Sequence, residues 1–375
     1  MMSRISKTLK VIGINLLLMT SAVGIFVLVP IGVEIAYEII SRATPGSEQW
    51  KAALPNYAQL RWAEQHFNDL EGTSSTYHDF VVWKNDPYES LTIKIGSDGL
   101  RHVVQAPNAS PDEVWLFGGS TMWGYGSDDA NTIPSHLSQI AGVHVRNYAQ
   151  GGYHARQSVN ELVSLYADPE GSYAATRTIV FYDGVNDVLD KCRIENKTLG
   201  TSREQQIRAA VALNRLSPKM ILMPALALVD RIKNAFDRRL MNSGYACHDD
   251  PDRSDSIARS LVNDWSSADA VARRNGDRFV AVLQPVAYQG RPNLNHLDLF
   301  REEWKELAVQ YQAVYPLIRQ YAKEAQKAKS DDSTPSASFE EEVNISMVYS
   351  DSDAAIDTDK ISGWSFLIPE SVGRA

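Results

Sequence analysis

Three short blocks of this chain carry side chains suited to chemistry on an acyl bond. The first is Gly118-Gly119-Ser120-Thr121, the second runs from Asn147 through Gln150 to Gly151-Gly152, and the third is Asp183-Gly184-Val185-Asn186-Asp187. A serine directly after a buried strand and two glycines is held on a tight turn with its hydroxyl aimed out of the sheet, and the glycines let a substrate come close to backbone. Together the blocks supply a hydroxyl nucleophile, backbone N–H groups and one carboxamide donor. An ester attacked by a hydroxyl becomes a tetrahedral oxyanion, which such donors stabilise by roughly 3–4 kcal/mol each. Singly, each block is common, since Gly-Gly-Ser recurs in loops and Gly-x-Asn-Asp is usually a turn. Other chemistries fit worse. GGSTMWGYG lacks the G-x-G-x-x-G spacing of a dinucleotide loop, and without G-K-[ST] it is not a P-loop.

The elements that must position these blocks follow from the hydrophobic pattern. From Glu113, VWLFGGS reads as a buried strand running into a glycine-rich turn. TIPSHLSQIAG starts a helix, with Thr132 as cap and Pro134 in the first turn, where its missing N–H costs nothing. VHVRNYA (143–149), RTIVFYDG (177–184) and FVAVLQPV (279–286) are three more strands. Val159, Leu162, Val163 and Tyr166 share one helix face, and Trp304, Leu307, Tyr311, Val314, Ile318 and Tyr321 share another. Strands alternating with helices predict an α/β fold with a parallel sheet covered on both sides. All three blocks then fall at strand carboxyl ends, where open parallel sheets bind ligands.

Upstream, residues 43–75 read as a lead-in helix and linker, and 77–104 as short strands around an Asp98-Gly99 turn. Residues 190–275 read as a helical insertion whose apolar centre, Met220 to Val229, is broken by Pro224. It either packs on the core or forms a lid or membrane-touching element. Residues 327–338 read as a solvated loop.

Composition bounds the function. Of 375 residues, 44% are hydrophobic and 22% charged, so the chain is neither globally disordered nor a rod. A net charge of −9 argues against a nucleic-acid binder. Two cysteines exclude a disulfide-dense scaffold and a four-cysteine zinc site. Val11 to Val33 is an uncharged stretch of 23 residues, long enough to span a bilayer. Arg4, Lys7 and Lys10 precede it and Glu34 and Glu38 follow, which predicts a cytoplasmic N-terminus. The apolar core exceeds the ~7–15 residues of a signal peptide and no clear A-x-A site follows, so an uncleaved anchor is expected. The predicted organisation is a cytoplasmic N-terminus (1–10), a transmembrane helix (11–33), a linker with lead-in helix (34–76) and an extracytoplasmic domain (77–375) with the insertion 190–275. Cys192 and Cys247 fall in the exported part, where a disulfide can persist, with two unpaired thiols as the alternative, since sequence does not show proximity.

With those blocks in that order, the sequence resembles the SGNH (GDSL-like) hydrolases, well over residues 77–187 and moderately over 279–325. The resemblance implies a three-layer α/β/α domain with a mostly parallel, flavodoxin-like sheet. It makes Ser120 the nucleophile, and Gly152, five residues after Asn147, an oxyanion N–H donor. Asn186 of Gly184-Val185-Asn186-Asp187 becomes the side-chain donor. The family's D-x-x-H block, whose His activates the Ser, has its best match at Asp357-Thr358-Asp359-Lys360, with Lys360 in the His position. A lysine serves as base only if its pKa falls from about 10.4 toward neutrality, and Asp357 and Asp359 would favour its charged form. Three accounts stay open: Lys360 is the base, another histidine such as His154 or His296 replaces it, or the site binds without turning over efficiently. The expectation is a serine esterase or O-acyl transferase acting on an ester-bearing small molecule, glycan or lipid of the cell envelope. It would need no cofactor and no metal. The alternative is an inactive SGNH-like domain that binds glycan or a partner protein.

Overall fold

The computed structural model describes residues 14–15, 49–168, 177–196, 200–201, 244–286, 288–289 and 302–331. The chain divides into two compact units, Gly46–Glu204 with Gly244–Ala375, and Met1–Pro45 with Gln205–Ser243. The second of these, with the expected membrane span and the apolar run 220–229, lies outside the described residues except for Ile14 and Asn15. Among the described residues no helix is long and apolar enough to cross a membrane.

The first unit opens with a 3-10 turn, Gln49–Ala53, and helix α1, Ala63–Glu71. Two antiparallel hairpins follow: β1 (Ser75–His78) with β2 (Val82–Asn85), and β3 (Tyr88–Glu89) with β4 (Lys94–Ile95). Then come β5 (Ser110–Gly118), the single turn α2 (Ser120–Trp123), α3 (Ile133–Ala141), β6 (Val143–Asn147) and α4 (Ala155–Ala167). The remaining elements are β7 (Arg177–Asp183), α5 (Val185–Lys191), α6 (Pro251–Arg274), β8 (Arg278–Leu283) and α7 (Glu302–Asp331). Four strands form one sheet in the order β6-β5-β7-β8, every pair parallel. The protein is therefore an α/β fold, as the alternation of patterns predicts.

Neighbouring residues of the central strands go to opposite cores. Trp115, Phe117, Ile179 and Phe181 join α4, α5, α6 and α7 residues in one cluster, whereas Leu116 and Val145 pack with Ala63, Phe67, Met122 and Trp123 in another. Burying each large side chain contributes about 1.5–3 kcal/mol, which is why these strands read as continuous apolar runs instead of alternating ones. Helix starts follow local chemistry. Thr132 caps α3 by accepting from the Ser135 N–H, with Pro134 in the first turn, and Asp250 caps α6 with Pro251 behind it.

Three readings differ in detail. Residues 63–71, expected in a linker with a lead-in helix, bury Phe67 and Leu70 against the sheet, so this part of the linker belongs to the core. Within 190–275, expected as an insertion, α6 is the helix that joins β7 to β8 and packs on β8, α4 and α7. Its face of Ile257, Leu261, Trp265 and Ala268 is buried. Val163, placed on the apolar face of α4, is 45% exposed, because the helix turns the face of Ala155, Ser158, Val159 and Leu162 to the core and leaves Val163 beside it. Cys192 and Cys247 form a disulfide that joins the end of α5 to the loop before α6.

Candidate functional site

Strand order reverses between β5 and β7: the chain leaves β5 toward β6 on one side and returns to β7 on the other. Open α/β sheets bind ligands at such switch points, beyond the strand carboxyl ends. Ser120 follows β5 there, and Asn186 follows β7.

The serine turn is gripped from several sides. Gly124 and Tyr125 N–H both donate to the Ser120 carbonyl at 2.9 Å. Asn147, at the end of β6, donates from Nδ2 to the carbonyls of Met122 (3.2 Å) and Trp123 (3.3 Å). Gln284, just past β8, donates from Nε2 to Thr121 Oγ1 at 2.8 Å. Ser120 is 4% exposed, and its Oγ is closed to solvent without a hydrogen-bond partner. The hydroxyl is thus closed to solvent, where one aimed out of the sheet was expected.

Gly152 lies in an exposed loop at φ +79°, a conformation that favours glycine. The N-terminal hairpin fixes this loop. Trp83 Nε1 donates to the Gly151 carbonyl (3.1 Å), the Tyr153 hydroxyl donates to the Trp83 carbonyl (2.5 Å), and the Asn85 N–H donates to Gln150 Oε1 (3.1 Å). Asn186 Nδ2 donates to the Tyr153 carbonyl at 2.8 Å, leaving its second amide hydrogen for another acceptor. A Cβ at Gly119 would collide with that same Nδ2. The carboxamide of the third block therefore touches the backbone of the first and is bonded to the residue after Gly152. The structure brings these three blocks together.

Beneath Asn186 lies a buried charged layer. Asp187 binds Lys191 Nζ at 2.6 Å and accepts the Ala155 N–H at 3.2 Å. Burial alone would raise its carboxyl, but Lys191 and His154 bring it below the ordinary value. Burial and then the Asp187 charge push the Asp183 carboxyl well above the ordinary range, against the hydrogen bond from Trp265 Nε1. His154 is buried with Nε2 3.1 Å from Asp190 Oδ2, so this ring nitrogen is engaged away from Ser120. Asp357, Lys360 and His296 lie outside the described residues. Among the described residues, no group of three or more His, Cys, Asp or Glu side chains could hold a metal ion.

Two contributors escape the motif reading. Gln284 had a usable signal, a polar residue directly after a buried strand at the same sheet end as the blocks. Arg101, whose guanidinium holds the loop after α2, had none, since a single buried arginine leaves no pattern. Models of known protein families do not match the chain, and no curated protein matches it.

Proposed function

We propose that this chain is an SGNH-type serine hydrolase or acyl transferase with a three-layer, flavodoxin-like α/β/α domain. Ser120 Oγ attacks the acyl carbonyl, and the oxyanion is received by the Ser120 N–H, the Gly152 N–H and the free amide hydrogen of Asn186. The observation that carries this reading is the contact of Asn186 Nδ2 with Gly119 and the Tyr153 carbonyl. It joins three separated blocks at the switch point of a parallel sheet, where acyl chemistry needs its donors. Asp357 and Lys360 take the dyad positions in this reading. The substrate is an ester-bearing small molecule, glycan or lipid, and the domain stands outside the cytoplasm on the 11–33 anchor. The Cys192–Cys247 bond supports that location, because disulfides persist in oxidising compartments.

The second reading, a binding domain for glycan or a partner protein, is favoured by the solvent-closed, partnerless Ser120 hydroxyl. A serine hydroxyl is a weak nucleophile without an adjacent base. Incubating the full chain with p-nitrophenyl acetate separates the two. Turnover lost in Ser120→Ala supports the hydrolase, and absence of turnover with unchanged glycan binding in that variant supports the binder.

A further inference from the structure

We propose that Arg101 is a positioning residue: its buried guanidinium holds the loop that fixes the Ser120 turn from behind. The inference deepens the hydrolase reading and rests on it for its consequence in rate. Arg101 is 2% exposed. Its Nε lies 2.9 Å from Asp129 Oδ1, Nη1 donates to the carbonyls of Trp123 (3.4 Å) and Gly124 (2.6 Å), and Nη2 donates to those of Thr92 (3.4 Å) and Ser127 (2.6 Å). A guanidinium has five N–H donors in one plane, and each has an acceptor here. One of those acceptors, the Trp123 carbonyl, closes the serine turn, and two, those of Gly124 and Ser127, lie in the segment that immediately follows it. The guanidinium carbon also stacks 4.5 Å from the Trp123 ring centroid.

The chain of contacts from Arg101 to Ser120 is short. Arg101 binds the Gly124 carbonyl, and the Gly124 N–H in turn binds the Ser120 carbonyl. Asn147 takes the Met122 and Trp123 carbonyls from the β6 side. The turn that carries the hydroxyl is thereby held between two planar donors, one charged and one neutral. A surface loop would satisfy these carbonyls with water. Here water is excluded, so removal of the guanidinium leaves several buried carbonyls without donors, and the segment must move to regain partners. A lysine offers three donors from one point and cannot span the carbonyls reached by both ends of the guanidinium fork.

The test compares Arg101→Lys with Arg177→Lys in the full chain. Arg177 is also a buried arginine, paired with Asp277 at 2.9 Å and stacked 4.7 Å from the Trp115 ring centroid. It sits at the opposite end of β7 from Asn186, roughly 20 Å away at strand rise, so it controls for loss of stability alone. With p-nitrophenyl acetate, Arg101→Lys lowers kcat about 100-fold, the scale of an ångström's misplacement, with KM unchanged. Arg177→Lys lowers Tm but leaves kcat at the wild-type value. Amide exchange at Trp123–Ser127 is roughly tenfold faster in Arg101→Lys and unaltered in Arg177→Lys, as local opening of one segment requires. Wild-type kcat in Arg101→Lys, or kcat lost equally in both variants, overturns the proposal. If the wild type turns over no faster than Ser120→Ala, the hydrolase reading fails, and exchange alone decides. Faster exchange confined to Arg101→Lys upholds the hold on the turn, and unchanged exchange overturns it.

Discussion

Replacing Asp183 by Asn removes a titration that the fold suppresses. Asp183 closes β7 just before the Asn186 turn. Its Oδ2 accepts from Trp265 Nε1 at 3.2 Å, while Oδ1 is buried without a partner. Burial, then the negative charges of Asp187 and Asp264, raise its carboxyl well above the usual value, so the folded state holds the proton to higher pH than an unfolded Asp does. The sign follows by linkage. A folded pKa above the unfolded one means the native state binds the extra proton, so stability falls as pH rises from about 4 toward the folded pKa. The slope is about 1.4 kcal/mol per pH unit over that window. Asn has nearly the same shape and never ionises, so Asp183→Asn lacks the slope. Urea unfolding of both proteins at pH 5, 6 and 7 is the assay. The variant should gain on wild type as pH rises from about 4, by up to about 1.4 kcal/mol per pH unit while the pH stays below the folded pKa. Parallel stability curves, or a variant that loses ground as pH rises, would refute a raised Asp183 carboxyl.

Gly119→Ala places a methyl inside contact distance of Asn186 Nδ2, and turnover of p-nitrophenyl acetate should fall about 100-fold as the donor is displaced. Asn186→Ala removes the donor outright, which costs about 10²–10³ in kcat with little change in Tm. The Cys192–Cys247 bond closes a loop with a sequence separation of 55 residues. In the chain-entropy model the double alanine variant loses about 4 kcal/mol, visible as a lower urea midpoint.

Much of the fold was legible because buried parallel strands must be apolar on both faces. Trp115, Leu116 and Phe117 go alternately to two cores, and nothing but a central strand explains such a run. The helix start at Thr132 was readable for a local reason, a side-chain acceptor and a proline where helix amides lack partners, while the same signal at Asp250 and Pro251 goes unread inside the expected insertion. Legibility failed where residues act through shape. Phe67 and Leu70 look like a polar linker's scattered apolar residues until the sheet face they cover is present. At the site, Ser120, Gly152 and Asn186 were found through strand-end placement. Gln284 and Arg101 act by spanning long sequence separations to their partners; the position of Gln284 just past a buried strand is a local signal, but for Arg101 no local pattern records the role. The closure of the Ser120 hydroxyl to solvent depends on packing around the turn, which a motif does not encode.

Mass-spectrometric mapping of the full chain after treatment with a fluorophosphonate tests the nucleophile most directly, since that reagent is captured by an activated serine beside oxyanion donors. The account predicts one adduct, on the peptide containing Ser120, absent from Ser120→Ala and slowed in Asn186→Ala. An unlabelled chain, or an adduct on another residue with Ser120 unmodified, would contradict it.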